Sequence, residues 1–165
     1  MRKAFVFYLL CLLSGSLFGE NPSDTATVRT LNHYVFEDAS GQKVSLGDLD
    51  SDYVFLELWS MSCRPCLLEM EFFKELPERY AGKPIRFVSI CVENNVASWK
   101  RFLQQRRIGG IQWITPLLGA FQKENQFISV PRFVLVDREG RIVWNNAKRP
   151  SDPALKADLD KLLAK

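Results

Sequence analysis

Two long, mainly apolar runs dominate the pattern of hydrophobic and polar positions along the chain. Tyr53–Trp59 and Ile85–Val92 have the composition of strands that are buried on both faces of a sheet. Shorter runs of strand-forming residues, bounded by turn residues, predict four further strands at 31–36, 43–46, 133–136 and 142–144. The first two and the last two of these are close enough in sequence to form hairpins.

Helices are predicted between these strands. Residues 67–76 are rich in helix formers, and Pro77 is expected to kink the helix that they form. Asn94 and Asn95 can cap a helix with apolar positions at helical spacing, and Pro153 suits the first turn of a terminal helix. In the stretch 111–126 we expect irregular structure followed by a short helix at 120–125.

This order of elements predicts an α/β fold, in which a central mixed β-sheet carries helices on both faces and the first hairpin is an N-terminal extension. The chain has 165 residues, of which 47% are hydrophobic, enough for a substantial core. We expect one domain over residues 31–165, preceded by a flexible polar segment at 20–30.

The N-terminus has the pattern of an export signal. A basic start is followed by an apolar run at 4–13, which is shorter than the roughly 20 residues of a membrane span, and by small residues at 14–19. We predict a signal peptide over residues 1–19, cleaved near Gly19, with an uncleaved membrane anchor as the alternative. Either form places the folded domain in the periplasm or otherwise outside the cytoplasm, where disulfides persist.

The charge of the chain argues against a nucleic-acid partner. The formal net charge is +3, but Arg2 and Lys3 lie in the predicted leader, and the remaining chain has 20 basic against 19 acidic residues. A nearly neutral chain without a Lys/Arg run offers no electrostatic surface for phosphates.

A pair of cysteines, Cys63 and Cys66, lies where the first buried strand gives way to a helix. Pro65 between them suits the first helical turn, because its missing N–H would have no helical partner there. Thiols at this position face the unpaired N–H groups and the positive end of the helix, which stabilise a thiolate. The Cys-x-x-Cys spacing therefore indicates a dithiol that cycles between reduced and oxidised forms.

Two other interpretations of this pair stay open. A structural disulfide between residues so close in sequence would remove little entropy from the unfolded chain. A zinc site needs four ligands, and the other candidates are Cys91, His33 and Cys11, the last within the predicted leader. We therefore predict no metal site.

Four segments in a fixed order carry a family resemblance. They are Gly-Gln-Lys-Val-Ser-Leu at 41–46, Trp-Ser-Met-Ser-Cys-Arg-Pro-Cys at 59–66, Val-Pro-Arg-Phe-Val-Leu-Val-Asp at 130–137 and Gly-Arg-Ile-Val at 140–143. The chain from about residue 28 onward resembles the thioredoxin fold, and more narrowly the TlpA/ResA-type exported thiol-disulfide oxidoreductases. Residues 147–153 are similar to Bacteroidetes variants of this family.

The chain departs from the family pattern at two positions. Ser62 stands where the family usually has a bulky residue before the first cysteine, which affects the substrate-facing surface. Cys91 stands in a strand where Ser or a small aliphatic residue is expected. We interpret Cys91 as a small buried hydrophobic residue.

The resemblance implies roles for the dithiol and for two carboxyl groups. Cys63, as the exposed cysteine of the pair, would attack a client disulfide, and Cys66 would resolve the mixed disulfide. Because Cys66 must lose a proton while shielded from water, it needs an acid–base group. Glu57, at the position of thioredoxin's buried Asp, and Glu69, where ResA-type proteins also carry Glu, are the candidates. The alternatives are a residue at the edge of the sheet or in a salt bridge for Glu57, and a helix-dipole partner for Glu69.

The resemblance also implies a client-binding face. Pro131 is expected to form a cis peptide bond with Val130, whose backbone groups would pair with an extended substrate. Trp59 is expected to line the same face, or else to be ordinary core. Arg64 would add positive charge beside the attacking sulfur or contact a partner, and Pro65 would complete the surface.

We therefore predict an exported thiol-disulfide oxidoreductase that reduces disulfides in extracytoplasmic client proteins. It would need no cofactor besides its redox-active disulfide, would act as a monomer and would be re-reduced by a membrane electron donor. The alternatives are a disulfide oxidant or isomerase and a non-catalytic metallochaperone or binding module. Residues 53–63 lack the Pro-x-x-x-Thr-x-x-Cys pattern of peroxiredoxins, and the only histidine, His33, lies upstream of the dithiol, unlike that of copper-delivery modules.

Overall fold

The computed structural model of the protein describes residues 30–164, so the predicted leader and nearly all of the predicted flexible segment lie outside the described residues. The strands are β1 Phe36–Asp38, β2 Lys43–Val44, β3 Tyr53–Trp59, β4 Ile85–Val92, β5 Ile111–Thr115, β6 Arg132–Asp137 and β7 Ile142–Trp144. The α-helices are α1 Arg64–Phe73, α2 Leu76–Arg79, α3 Val96–Arg106, α4 Ala120–Glu124 and α5 Pro153–Leu162. Short 3-10 helices form at Leu31–His33 and Leu46–Asp48.

The strands form one seven-stranded mixed sheet in the order β2-β1-β5-β4-β3-β6-β7. Strand β3 pairs in parallel with β4 and antiparallel with β6, so both of its edges are hydrogen-bonded. The first hairpin adds to the sheet through β5. The predicted mixed sheet and the N-terminal hairpin are therefore confirmed.

Strand β3 is buried on both faces because its residues alternate between two apolar cores. Val54, Leu56 and Leu58 pack in a core that also contains Phe121 of α4. Phe55 packs on the opposite face with residues of α1, α2 and α5. Burial of both faces explains the mainly apolar composition of the strand.

The N-terminal region differs from the predicted pair of long strands. Residues 31–33 form a 3-10 helix because Leu31 donates its N–H to the carbonyl of Gly140 at 2.8 Å, and Asn32 donates its side-chain N–H to the carbonyl of Arg138. The second strand ends early, because Ser45 and Asp48 form a reciprocal capping box that starts the next 3-10 helix. These tertiary and capping contacts leave no sign in the alternation of apolar residues.

Two further predictions of secondary structure were wrong. The stretch predicted as irregular contains strand β5, whose residues continue the parallel pairing of β4. The helix predicted to kink at Pro77 instead ends at Phe73, and Pro77 occupies the first turn of a separate helix, α2. Proline fits this position since the first turn requires no N–H donor.

The predicted starts of the later helices are confirmed. The side chain of Asn95 accepts the N–H of Ser98 at 2.9 Å and starts α3. Asp152 accepts the N–H of Ala154 in the same way, and Pro153 is the first residue of α5.

Gly140 should be intolerant of a side chain. Its φ is +79°, and an added Cβ would lie 2.5 Å from Asn32 Oδ1 and 2.9 Å from the Asn32 backbone N. We expect Gly140→Ala to lower the free energy of unfolding by about 2 kcal/mol or more, since left-handed strain and a backbone clash add. Urea unfolding measures this loss.

Gly82→Ala is the matched control, because Gly82 has φ +75° but no atom within 4 Å of the added Cβ. This variant should lower the free energy of unfolding only by the cost of the left-handed backbone conformation, about 1 kcal/mol. Equal losses in the two variants would show that the contact between Gly140 and Asn32 does not constrain the fold.

Candidate active site: the dithiol and its buried surroundings

The two cysteines form a disulfide at the start of α1, with their Cα atoms 5.3 Å apart. Cys63 is the N-cap residue, and its sulfur accepts the backbone N–H of Cys66 at 3.2 Å. Pro65 lies in the first helical turn, as predicted. Cys63 is half-buried whereas Cys66 is fully buried. The helix N-terminus therefore presents one accessible sulfur and one shielded sulfur.

The shielded sulfur lies in an apolar cluster that forms the floor of the site. Cys66 shares this cluster with Trp59, Met70 and Cys91, among others. Trp59 is fully buried and packs in the same cluster as Cys66, which agrees with the alternative that it is a core residue. Cys91 is also fully buried, and burial raises the pKa of its thiol, which keeps it protonated and unreactive.

Glu57 is a carboxyl group inside the core. It is fully buried, and its Oε2 accepts a hydrogen bond from Ser89 Oγ at 2.7 Å. Within residues 30–164 its Oε1 has no hydrogen-bond partner. Burial is the largest cause that raises the pKa of Glu57 to about 8; the negative charge of Glu69 raises it further, and the Ser89 hydrogen bond lowers it. Glu57 is therefore mostly protonated at neutral pH and close to its titration point.

Glu69 is held differently from Glu57. Its Oε2 accepts the backbone N–H of Ser151 at 3.0 Å, and its Oε1 accepts the Ser151 hydroxyl at 2.8 Å. Arg149 lies 3.7 Å from the same carboxylate. Glu69 thus anchors α1 to the segment before α5, a contact that its sequence position alone does not predict.

The peptide bond between Val130 and Pro131 is cis, as the resemblance implied. Val130 packs against the cluster that contains Cys66, which brings this loop to the dithiol. Arg64 and Pro65 are exposed at the rim. The predicted client-binding residues other than Trp59 therefore lie at or near the surface of the site.

Two exposed apolar side chains near the dithiol were not predicted from the sequence. Leu68 on α1 is 61% exposed, and Ile128 in the loop before the cis bond is 78% exposed. Ser89, which binds Glu57, was also missed, although a serine within a strand of otherwise apolar residues is a signal that could have identified it. A buried hydroxyl needs a partner, and the register of β3 and β4 shows which one.

No group of three or more His, Cys, Asp or Glu side chains within residues 30–164 is arranged to hold a metal ion. In the same range, no helix has the length and apolar character needed to cross a membrane.

The model of the Redoxin family matches residues 22–163. The chain belongs to the Redoxin family. Among curated relatives, the thiol-disulfide oxidoreductase ResA of Bacillus anthracis is 26% identical over 155 residues, which cover 86% of each chain. ResA of a Bacillus cereus strain is 27% identical over 114 residues, which cover 67% of this chain and 64% of that relative.

Solved structures agree with this assignment. The solution structure of a Bacteroides vulgatus protein named as a thiol-disulfide oxidoreductase has a TM-score of 0.74 and 35% identity, covering 90% of this chain and 93% of that one. A crystal structure of a protein named in the same way, also from Bacteroides vulgatus, has a TM-score of 0.73 and 27% identity, covering 79% and 92%. These matches confirm the thioredoxin-like fold and the predicted resemblance. Together with the disulfide, they support dithiol–disulfide exchange as the activity of this Redoxin member.

The raised pKa of Glu57 should make stability depend on pH. The folded protein keeps the Glu57 proton up to about pH 8, whereas the unfolded chain releases it near 4.5. Between these pH values, unfolding releases a proton. The contribution of Glu57 to the free energy of unfolding therefore falls as pH rises, by at most about 1.4 kcal/mol per pH unit. Glu57→Gln cannot titrate and should gain stability relative to the wild type across this range.

Urea unfolding of the oxidised proteins at a series of pH values measures this difference. Glu75→Gln, a change at an exposed carboxyl, is the control and should follow the wild type. Parallel pH profiles for Glu57→Gln and the wild type would mean that Glu57 is ionised in the folded protein.

Proposed function

We propose that this protein reduces disulfides in client proteins outside the cytoplasm. The observation that carries the proposal is the pairing of an accessible Cys63 sulfur with a Cys66 sulfur buried at the start of the same helix. An accessible sulfur can attack a client disulfide, and a shielded neighbour can then release the client. Location outside the cytoplasm is supported by the export-signal pattern of residues 1–19.

In the proposed mechanism the Cys63 thiolate attacks one sulfur of a client disulfide and expels the other as a thiolate. The N-terminal end of α1 and the N–H of Cys66 stabilise Cys63 before the attack. Cys66 then loses its proton and attacks Cys63, which releases the reduced client and leaves the Cys63–Cys66 disulfide.

Glu57 is the proposed acceptor of the Cys66 proton. Its pKa of about 8 is close to the range in which a thiol gives up a proton, and it is buried on the sheet face that α1 covers. Both oxygens of Glu69 are bound to Ser151. We therefore propose that Glu69 acts on the reaction through its charge, which raises the pKa of Glu57, and through its anchoring of α1.

We also assign the client-binding surface to residues around the exposed sulfur. The backbone of Val130, next to the cis bond, would pair with an extended client segment, and Arg64 and Pro65 would contact it from the start of α1. The exposed side chains of Leu68 and Ile128 extend this surface with apolar area. A protein that reduces clients repeatedly must be re-reduced, so an upstream electron donor, in the membrane if the protein is exported, is part of the proposal.

Serine substitutions of the two cysteines should separate their roles. Cys63→Ser should abolish the reduction of insulin, because the accessible nucleophile is lost. Cys66→Ser should accumulate mixed disulfides with clients, since nothing resolves them. Non-reducing electrophoresis after acid trapping detects these adducts. Equal trapping through Cys66 in a Cys63→Ser protein would contradict the assignment.

The direction of electron flow depends on the reduction potential. Because Arg64 is exposed and solvent screens its charge, removing it should lower the potential by only about 10–20 mV. We expect a potential closer to about −270 mV, the value for thioredoxin, than to about −120 mV, the value for DsbA. Equilibration with glutathione measures it, with Arg64→Lys as the control for Arg64→Gln. A potential above about −150 mV would favour an oxidant or isomerase.

A further inference from the structure

Two adjacent leucines are exposed in the loop between β5 and α4. Leu117 is 45% exposed and Leu118 is 50% exposed. A leucine that stays half in solvent gains little free energy from burial, so neither side chain contributes much to the core. A single exposed leucine is ordinary on a protein surface, whereas a group of neighbouring exposed apolar side chains marks a site of interaction.

The backbone at Leu118 is unusual for a leucine. Its φ is +53°, in the left-handed region that is unfavourable for a bulky side chain and is tolerated better by Gly or Asn. The N–H of Leu118 donates to Oε1 of Gln122 at 2.6 Å, which holds the loop in this conformation. A leucine that is both strained and half-exposed costs the fold free energy, and strain of this kind is concentrated at functional sites.

Gln122 joins the leucine loop to the loop that precedes the cis peptide bond. Its side chain is buried at 2% exposure, and its Nε2 donates to the carbonyl of Phe127 at 3.1 Å. The backbone carbonyl of Gln122 also accepts the N–H of Phe127 at 2.8 Å. The next residue, Ile128, is 78% exposed. One buried amide therefore holds the loop of Leu118 next to the loop of Ile128.

Both loops lie at the end of the sheet that carries the dithiol. Strands β3, β4 and β5 are parallel, so their C-terminal ends meet at one edge, where β3 leads to the dithiol and β5 leads to Leu117. Asn94 follows β4, the strand between them, and its Oδ1 accepts the N–H of Leu117 at 3.0 Å. Ile128 precedes Val130 by two residues, and Val130 packs against the apolar cluster at the floor of the site. The two loops are thus continuous with the proposed client-binding surface.

The composition of the two loops favours an uncharged client. Residues 116–119 and 125–131 contain no Asp, Glu, Lys or Arg. A charged client side chain would lose hydration at this surface without gaining a partner of opposite charge. An apolar client side chain would instead bury area against the leucines and the isoleucine.

We propose that Leu117, Leu118 and Ile128 form a subsite that binds an apolar side chain of an extended client segment, near the reacting cysteine of the client. The inference rests on the proposed function, because it takes the client to be a disulfide substrate that pairs with the backbone of Val130. Residues of an extended segment are about 3.3 Å apart, so an apolar residue about two to four positions from the cysteine reaches the subsite. The subsite selects clients with apolar residues at those positions over clients with polar ones.

Two synthetic peptides with a single cysteine can measure this selection. They differ only at the positions named above, where one carries Leu and the other Ser, and each cysteine forms a mixed disulfide with thionitrobenzoate. The Cys63 thiolate attacks the peptide sulfur, forms a Cys63–peptide disulfide and expels thionitrobenzoate, the better leaving group, whose absorbance gives the second-order rate constant. Cys66 then attacks Cys63 and releases the peptide thiol without changing the absorbance. The ratio of the rate constants, Leu peptide over Ser peptide, cancels differences in the reactivity of Cys63 between variants.

The wild type should react with the Leu peptide about fivefold faster or more, since partial burial of an apolar side chain favours the complex in which the attack occurs. Leu118→Asn and Ile128→Asn should each reduce this ratio by about half or more, and the double variant should bring it to about one. Val143→Thr is the matched control and should keep the wild-type ratio. Val143 is an exposed apolar residue on β7, at the other edge of the sheet.

Thermal unfolding separates contact with a client from a role in the fold. Because Asn tolerates the left-handed backbone better than Leu, Leu118→Asn should unfold at the wild-type temperature or above it. A lower unfolding temperature with an unchanged ratio would show that Leu118 serves the fold, which overturns its place in the subsite. If Leu118→Asn does not fold, the ratio for Ile128→Asn decides, since Ile128 is the more exposed position.

The remaining outcomes separate the subsite from the proposed function. A wild type that reduces insulin but reacts equally with the two peptides would overturn the subsite and leave the proposed function in place. A wild type that reduces neither insulin nor the peptides would contradict the proposed function, and the subsite with it. Size-exclusion chromatography tests another occupant: a wild-type dimer that Leu118→Asn converts to a monomer would show that the surface binds a second copy of the chain, which overturns the client assignment.

Discussion

The complete burial of β3 is the constraint on which the rest of the structure depends. Both of its faces pack in apolar cores and both of its edges pair with neighbouring strands, so the strand has almost no freedom to move. Its C-terminal end delivers the chain directly to α1, which places Cys63 at the N-cap and Cys66 within the first turn. A rigid strand therefore sets the position of a helix terminus, and the helix terminus provides the electrostatic field that favours a thiolate.

The same burial gives Glu57 its chemistry. A carboxyl group between apolar neighbours cannot be ionised cheaply, and only the Ser89 hydroxyl opposes that effect, so its pKa rises to about 8. An apolar side chain at this position would pack without this cost. The core thus contains a buried carboxyl group on the sheet face that the dithiol helix covers, while Glu69 on that helix serves as an anchor to Ser151.

Sequence patterns predicted elements whose signals are local and missed those that depend on distant contacts. The apolar runs of β3 and β4, the Asn95 cap and the Pro153 start all act within a few residues, and the structure confirms each of them. Strand β5 was missed because Ile111–Thr115 is stabilised mainly by its pairing with β4 and β1. Leu31 was wrongly predicted to lie in a strand. It lies in a 3-10 helix, and the hydrogen bond that fixes its position goes to Gly140, far along the chain, where no local pattern indicates it.

The sequence alone determined the dithiol, its place at a strand-to-helix junction and the family to which the chain belongs, since these follow from spacing and from short contiguous motifs. Only the tertiary structure decided that Trp59 lies in the core and not at the surface, and that Glu69 binds Ser151. It also decided that Ser89 and Gln112 lie beside Glu57 in one row across the sheet. The physical reason is that register and burial are set by pairing between strands. A residue's neighbour across a sheet lies tens of positions away in sequence, where no local pattern can indicate it.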